Sequence, residues 1–171
     1  MDLKTLIRDI HDYPKPGIVF KDITPLLKNP SGLAMAVELM ASPFRGQGIE
    51  LVCGAESRGF IFGTAIAQAL SAGFVPIRKP GKLPHDTTAK SYELEYGTDT
   101  LEIHRDAVAP GQKVLMVDDL LATGGTLRAC CELIDELGAD LVGITVAIEL
   151  GFLDGREKVK PYENIHSVIK Y

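Results

Sequence analysis

A chain of 171 residues with 46% hydrophobic and 24% charged side chains is expected to fold as one globular domain, which excludes a disordered or fibrous class. Its formal net charge of −5 excludes a global basic field, so no nucleic-acid partner is expected and any anionic ligand must be held by local cations and backbone amides. The three cysteines lack metal-type spacing, two being adjacent (Cys130 and Cys131), which excludes a disulfide scaffold and points to a reducing compartment.

In chain order, MDLKTLIRDI reads as a short amphipathic helix without the apolar core of a signal peptide. No apolar run is long enough to span a bilayer, so the expectation is a cytoplasmic protein without a membrane partner. In YPKPGIVFKDITPLL, Pro14, Pro16 and Gly17 enforce an extended, turning path. Ser31 predicts the N-cap of a helix from Gly32 to about Ala41, ended by Pro43. Ile49 to Cys53 is a short apolar run and hence a buried strand, followed by a polar loop from Gly54 to Gly59. A helix over Phe60 to Ser71 and a strand over Phe74 to Arg78 complete a βαβ unit.

The second half repeats that order. After a Pro110-Gly111 turn come a strand over Lys113 to Val117, a helix to about Leu137 closed by Gly138, and a strand over Leu141 to Leu150. The alternation predicts an α/β fold with a mainly parallel twisted sheet flanked by helices. Between the halves, Lys79 to Ala109 is polar and lacks a helical period; YELEY and TLEIH flank Gly97-Thr98-Asp99 as a β-hairpin. An excursion of that length inside a compact domain is expected to serve function, as a lid.

The stretch VLMVDDLLATGGT carries the first chemistry. It stands at the carboxyl end of a predicted strand, where α/β sheets bind ligands. Gly124 and Gly125 let the backbone approach a ligand closely, and the amides of Ala122 to Thr126 open onto a helix N-terminus that favours phosphate. Thr123 and Thr126 add hydroxyl donors. Ionised Asp118 and Asp119 only accept, which suits vicinal sugar hydroxyls or, through water, Mg²⁺. Donors for a phosphate beside acceptors for a diol describe a ribose 5-phosphate site. The Walker loop is excluded because no Lys precedes the closing Ser/Thr, and GxGxxG is absent.

This motif resembles the phosphoribosyl pyrophosphate signature of type I phosphoribosyltransferases, and its LLATGGT form is similar to that of the adenine phosphoribosyltransferase family. YPKPGIVFKDITPLL, ESRGFIFG, IRKPGKLP, SYELEYGTDTLEIH and GREKV extend the resemblance over most of the chain. The resemblance implies a single domain over 1–171, with about 1–30 forming a hood over the base and 79–109 a mobile β-hairpin lid. It implies transfer of 5-phosphoribosyl from phosphoribosyl pyrophosphate to adenine, with Mg²⁺ held mainly by substrate oxygens rather than by a protein cage.

The same resemblance distributes the remaining roles. Glu56, Ser57 and Arg58 form a pyrophosphate loop with an unusual peptide at the acid–Ser step, joined by Arg78, Lys79 and Lys82. One such basic residue reaches a neighbouring subunit's site, implying a homodimer. Glu95, beside Tyr96, is the catalytic acid of the hairpin. Val19 and Phe20 lie against adenine, Leu150 takes its other face, and Lys21 stands where many members have Arg. That Lys leaves a 6-oxopurine (hypoxanthine, guanine or xanthine) transferase as the alternative, because such a base favours a cationic donor at O6. A second alternative is a non-catalytic regulator that senses phosphoribosyl pyrophosphate, for which the chain has no spare length for a DNA-binding domain.

Overall fold

The computed structural model describes residues 1–94 and 97–171. Leu3–Leu6 make one 3-10 turn, capped by the Asp2 carboxylate, which accepts from the Lys4 amide. The chain then enters β1 (Arg8–His11), paired antiparallel with β2 (Val19–Asp22). The helix expected over the first ten residues is therefore corrected to a single turn and a strand. So short a helix is marginal alone, and pairing with β2 satisfies the backbone of residues 8–11 instead.

After α1 (Thr24–Lys28), α2 spans Pro30–Ala41. Its cap is Asn29, whose side chain accepts from the Gly32 amide at 2.9 Å, rather than the expected Ser31. Pro30 explains the shift, since a proline at the first helical position has no N–H to satisfy and already has a helical φ.

The first βαβ unit consists of β3 (Leu51–Ala55), α3 (Arg58–Leu70) and β4 (Gly73–Ile77). Gly54, expected in a loop, lies inside β3. A Cβ there would stand 2.9 Å from Cε2 of Phe74, so the glycine makes room for the ring on β4. The hairpin pairs β5 (Thr87–Glu93) with β6 (Thr98–His104), and it is anchored by buried Leu101 and Ile103 and a two-way bridge between Arg78 and Glu102.

The second unit runs through β7 (Lys113–Leu121), α4 (Gly125–Glu136) and β8 (Asp140–Glu149). The strand expected to stop at Val117 continues past Asp118 and Asp119 because β8 keeps pairing with it as far as Leu121↔Glu149. In this half two elements were not anticipated, α5 (Gly155–Val159) and β9 (Ile165–Lys170). As an edge strand with His166 and Ser167, β9 is mostly half-buried and lacks a continuous apolar run.

The central sheet has five parallel strands in the order β4-β3-β7-β8-β9. Alternation along β7 divides the core: Val114 and Met116 pack with Leu127, Cys130 and Ile134 of α4, whereas Leu115 and Val117 pack with Met40 of α2 and Phe62 and Ile66 of α3. All three cysteines are buried free thiols, and burial pushes the Cys53 thiol up to about 12, so they serve as small core residues.

Candidate functional site at the strand ends

Asp118 and Asp119 sit at the carboxyl end of the central strand β7, only 8% and 6% exposed. The Asp119 amide donates to Asp118 Oδ1 at 2.8 Å. Gly59, at the start of α3, lets that helix close on the pair: a Cβ there would lie 2.9 Å from the same Oδ1. Burial, reinforced by the charge of Asp119, pushes the Asp118 carboxyl well above its ordinary range. Burial also raises Asp119, opposed by the Arg58 guanidinium, whose Nη2 lies 2.6 Å from Asp119 Oδ2. That contact is ionic: the buried oxygen has no aligned hydrogen-bond donor, leaving acceptor capacity for a hydroxyl.

Beyond the acids the chain turns through Ala122 and exposed Thr123 to Gly124, whose φ of +91° is in the left-handed region. A side chain on Gly124 would also run into the carbonyl of Gly155, so α5 closes the loop from outside. Gly125 begins α4, with Thr126 next, and the free amides of this first turn face outward as an anion site. A pocket of about 230 Å³ runs from Glu56 and Asp118 past Ala122 and Thr123 to Thr126.

On the neighbouring strand end, the Glu56–Ser57 peptide is cis. Glu56 Oε2 accepts from the Lys79 amide at 2.6 Å and from Arg78 Nε at 3.2 Å, binding the β3 loop to the end of β4. The Lys79 ammonium pairs with the Asp99 carboxylate of the hairpin, and Lys82 is exposed in the turn that follows. Arg58 spans the site: besides Asp119, it donates from Nη1 to the Lys21 carbonyl at 3.2 Å and lies 4.8 Å from the Phe20 ring centroid.

On the side of β1 and β2, Val19 is exposed and Phe20 meets Tyr13 edge to face at 5.2 Å. Leu150, 8% exposed, donates its amide to the Leu121 carbonyl and so sits beside the cradle. Lys21 is turned elsewhere. Its ammonium is 2.7 Å from Asp9 and 3.8 Å from the Tyr171 ring centroid, leaving its carbonyl as the group that meets Arg58. Glu95 and Tyr96 lie outside the described residues.

Sequence reasoning missed two groups. Glu149, at the end of β8, holds Arg156 of α5 through paired contacts at 2.7 and 2.8 Å and accepts from Ser167 on β9. The Arg156 hydrogen bonds lower its carboxyl to about 2 against the opposing effect of burial. This clamp seats α5, and hence the Gly155 carbonyl, against the turn at Gly124. The other group is Tyr92 with Asp99, which joins the hairpin to Thr126. An acid ending a strand seven residues before the GREKV arginine, and a tyrosine opposite Glu93 in the strand alternation, were the available signals.

An α/β sheet with paired acids and a glycine-opened helix N-terminus at its carboxyl edge defines a phosphoribosyltransferase, and the model of the phosphoribosyl transferase domain family matches residues 23–170. Over 171 residues the chain is 57% identical to adenine phosphoribosyltransferase of Rhodopirellula baltica, covering 100% of this chain and 82% of that one. It is 58% identical to adenine phosphoribosyltransferase of Thermobifida fusca over 166 residues, covering 95% and 94%. The solved structure of adenine phosphoribosyltransferase from Thermoanaerobacter pseudethanolicus superposes with a TM-score of 0.96 at 51% identity, covering 99% and 98%. That of the Giardia lamblia enzyme complexed with 9-deazaadenine gives 0.95 at 39%, covering 99% and 96%. The chain belongs to the adenine phosphoribosyltransferase family. The 6-oxopurine alternative is not favoured, and the Lys21 ammonium that suggested it is held by Asp9.

Proposed function

We propose that this chain breaks the C1′–oxygen bond of phosphoribosyl pyrophosphate and forms a C1′–N9 bond to adenine, releasing AMP and pyrophosphate. The observation that carries this reading is the pair of buried acceptors, Asp118 and Asp119, next to the amides opened by Gly124 and Gly125. Ala122 to Thr126 take the 5′-phosphate, and the two carboxylates take the ribose hydroxyls. Burial raises both carboxyls above their ordinary range and leaves Asp119 Oδ2 without a hydrogen-bond donor, which a diol supplies.

Pyrophosphate is assigned to the Glu56–Ser57–Arg58 loop with Arg78, Lys79 and Lys82. Both Arg58 and Lys79 already face carboxylates, so they exchange one anion for another on binding rather than leaving water. Adenine is assigned to the space by Val19, Phe20 and Leu150, with the Lys21 backbone at its edge. The exposure of Val19 and the polar rim from Arg58 support that placement. Glu95, by family resemblance, manages the adenine proton and the positive charge developing at C1′, with Tyr96 beside it.

Mg²⁺ fits as an ion carried by the substrate. Among the described residues no group of three or more His, Cys, Asp or Glu side chains forms a cage, while Asp118 and Asp119 offer hard oxygen atoms within reach of water. When bound, the ion supplies charge stabilisation to the departing pyrophosphate. A cytoplasmic homodimer belongs to the same reading, supported by the exposed Lys82 turn, which suits contact with a neighbouring subunit's site. No helix among the described residues is long and apolar enough to cross a membrane.

The test is to incubate adenine, phosphoribosyl pyrophosphate and Mg²⁺ with the protein and measure AMP, with hypoxanthine and guanine in parallel. AMP formation that exceeds turnover of both 6-oxopurines is expected. Preference for a 6-oxopurine would overturn the base assignment.

A further inference from the structure

A chain of polar contacts crosses from the phosphate loop to the basic turn by way of the hairpin. Thr126 Oγ1, in the first turn of α4, lies 3.2 Å from the Tyr92 hydroxyl. The same hydroxyl lies 3.4 Å from Asp99 Oδ2. Asp99 pairs with the Lys79 ammonium, and its other oxygen accepts from the Thr100 amide at 2.9 Å. The Tyr92 ring packs on the helix start, 3.3 Å from where a Gly125 Cβ would stand, so the hydroxyl is held in place. Burial raises the phenol above its ordinary range, and it therefore keeps its proton at neutral pH.

A phenol has one proton to give. If Tyr92 donates to Asp99, it can only accept from Thr126, and the threonine proton then points into the hairpin. If Tyr92 donates to Thr126, the threonine proton is turned outward to the α4 amides, where an anion collects. A phosphate at this helix start selects the second arrangement, and Asp99 is then left to Lys79 and the Thr100 amide.

We propose that Tyr92 is a positioning residue for the 5′-phosphate: its phenol sets the direction of the Thr126 hydroxyl, and in turning to Thr126 it leaves Asp99 to Lys79. This rests on the assignment of the Ala122–Thr126 loop to a sugar phosphate. The consequence is that a 5′-phosphate at Thr126 is felt near Lys79, because Asp99 gives up the phenol's proton when the phosphate binds.

Ribose 5-phosphate and adenine are titrated separately against the full chain and its variants, with AMP formation followed in parallel. Tyr92→Phe keeps the ring on Gly125 and removes the hydroxyl. It is expected to weaken ribose 5-phosphate by roughly five- to tenfold while leaving adenine affinity unchanged, which a general packing lesion would not do. Thr126→Ser retains the hydroxyl and should bind within about twofold of the parent. Thr126→Val should cost much less in the Tyr92→Phe background than alone, because the two hydroxyls act as one unit; Thr126→Ala serves if the valine disturbs folding. Unchanged affinity in Tyr92→Phe, or equal losses from Thr126→Val in both backgrounds, would overturn the proposal. A parent protein that binds no ribose 5-phosphate would instead remove the assignment of the loop itself, and the proposal with it.

Discussion

The loop from Asp118 to Thr126 and the hairpin that lies against it meet at Thr126, yet they are held differently. Strand pairing holds the loop up to Leu121↔Glu149, the Gly155 carbonyl bounds it, and Asp118 is closed in by the start of α3. The hairpin is anchored at its base by Leu101 and Ile103, but toward the loop it relies on side chains: Tyr92 on Thr126, and Lys90 on Glu132 and Glu136. A site built from backbone offers one fixed geometry to a phosphate. One built from half-exposed side chains can separate and re-form at small cost.

The sharpest test of this contrast is at the acids. Asp118→Asn should lower kcat/KM for phosphoribosyl pyrophosphate about 100-fold, since one neutral amide replaces a pure acceptor. The same change should not destabilise the protein. The Asp118 pKa is raised in the folded state, so its contribution to stability is full below the ordinary value of 3.8 and lost as pH rises through the raised pKa. At neutral pH the variant should therefore melt no lower than the parent; a lower melting point would show that the carboxylate supports the fold.

Gly124→Ala probes the backbone half of the contrast. It demands a positive φ from an L-residue and presses a methyl group on the Gly155 carbonyl, so a loss of about 3 kcal/mol is expected in urea unfolding. Near-parental stability would mean that α5 yields and that the loop is not fixed as described. Glu149→Gln loosens the seat of α5 and should cost about 2 kcal/mol at neutral pH. Its carboxyl is depressed from 4.5 to about 2, so the stability it contributes is present above 4.5 and lost as pH falls toward 2. The deficit of the variant should close over that same window. The smallest effect belongs to the hairpin: Lys90→Ala should change stability by no more than about 0.5 kcal/mol, because its partners Glu132 and Glu136 are partly or largely exposed.

Much of this was legible in one dimension. The apolar runs of β3, β7 and β8 announced a parallel sheet, and the glycines at 124 and 125 a tight turn into a helix start, because buried parallel strands and close backbone approaches leave strong local signals. Strand ends were less legible. Asp118 and Asp119 look like loop residues by type, and only the continued pairing with β8 draws them into the strand. The N-terminus misled for the same reason: residues 8–11 become a strand only by pairing with residues 19–22. Least visible were contacts made wholly by tertiary approach, such as Glu149 with Arg156 and Ser167 or Tyr92 with Thr126. No spacing rule brings those pairs together.

The ring of Tyr171 receives the ammonium groups of Lys4 and Lys21, and its carbonyl accepts from the Gly151 amide, next to Leu150. Lys4, Lys21 and Tyr171 therefore meet beside the proposed base position. The proposed base side thus depends on contacts between segments far apart in sequence, whereas Asp118 and the loop after it are bounded by the nearer Gly59 and Gly155.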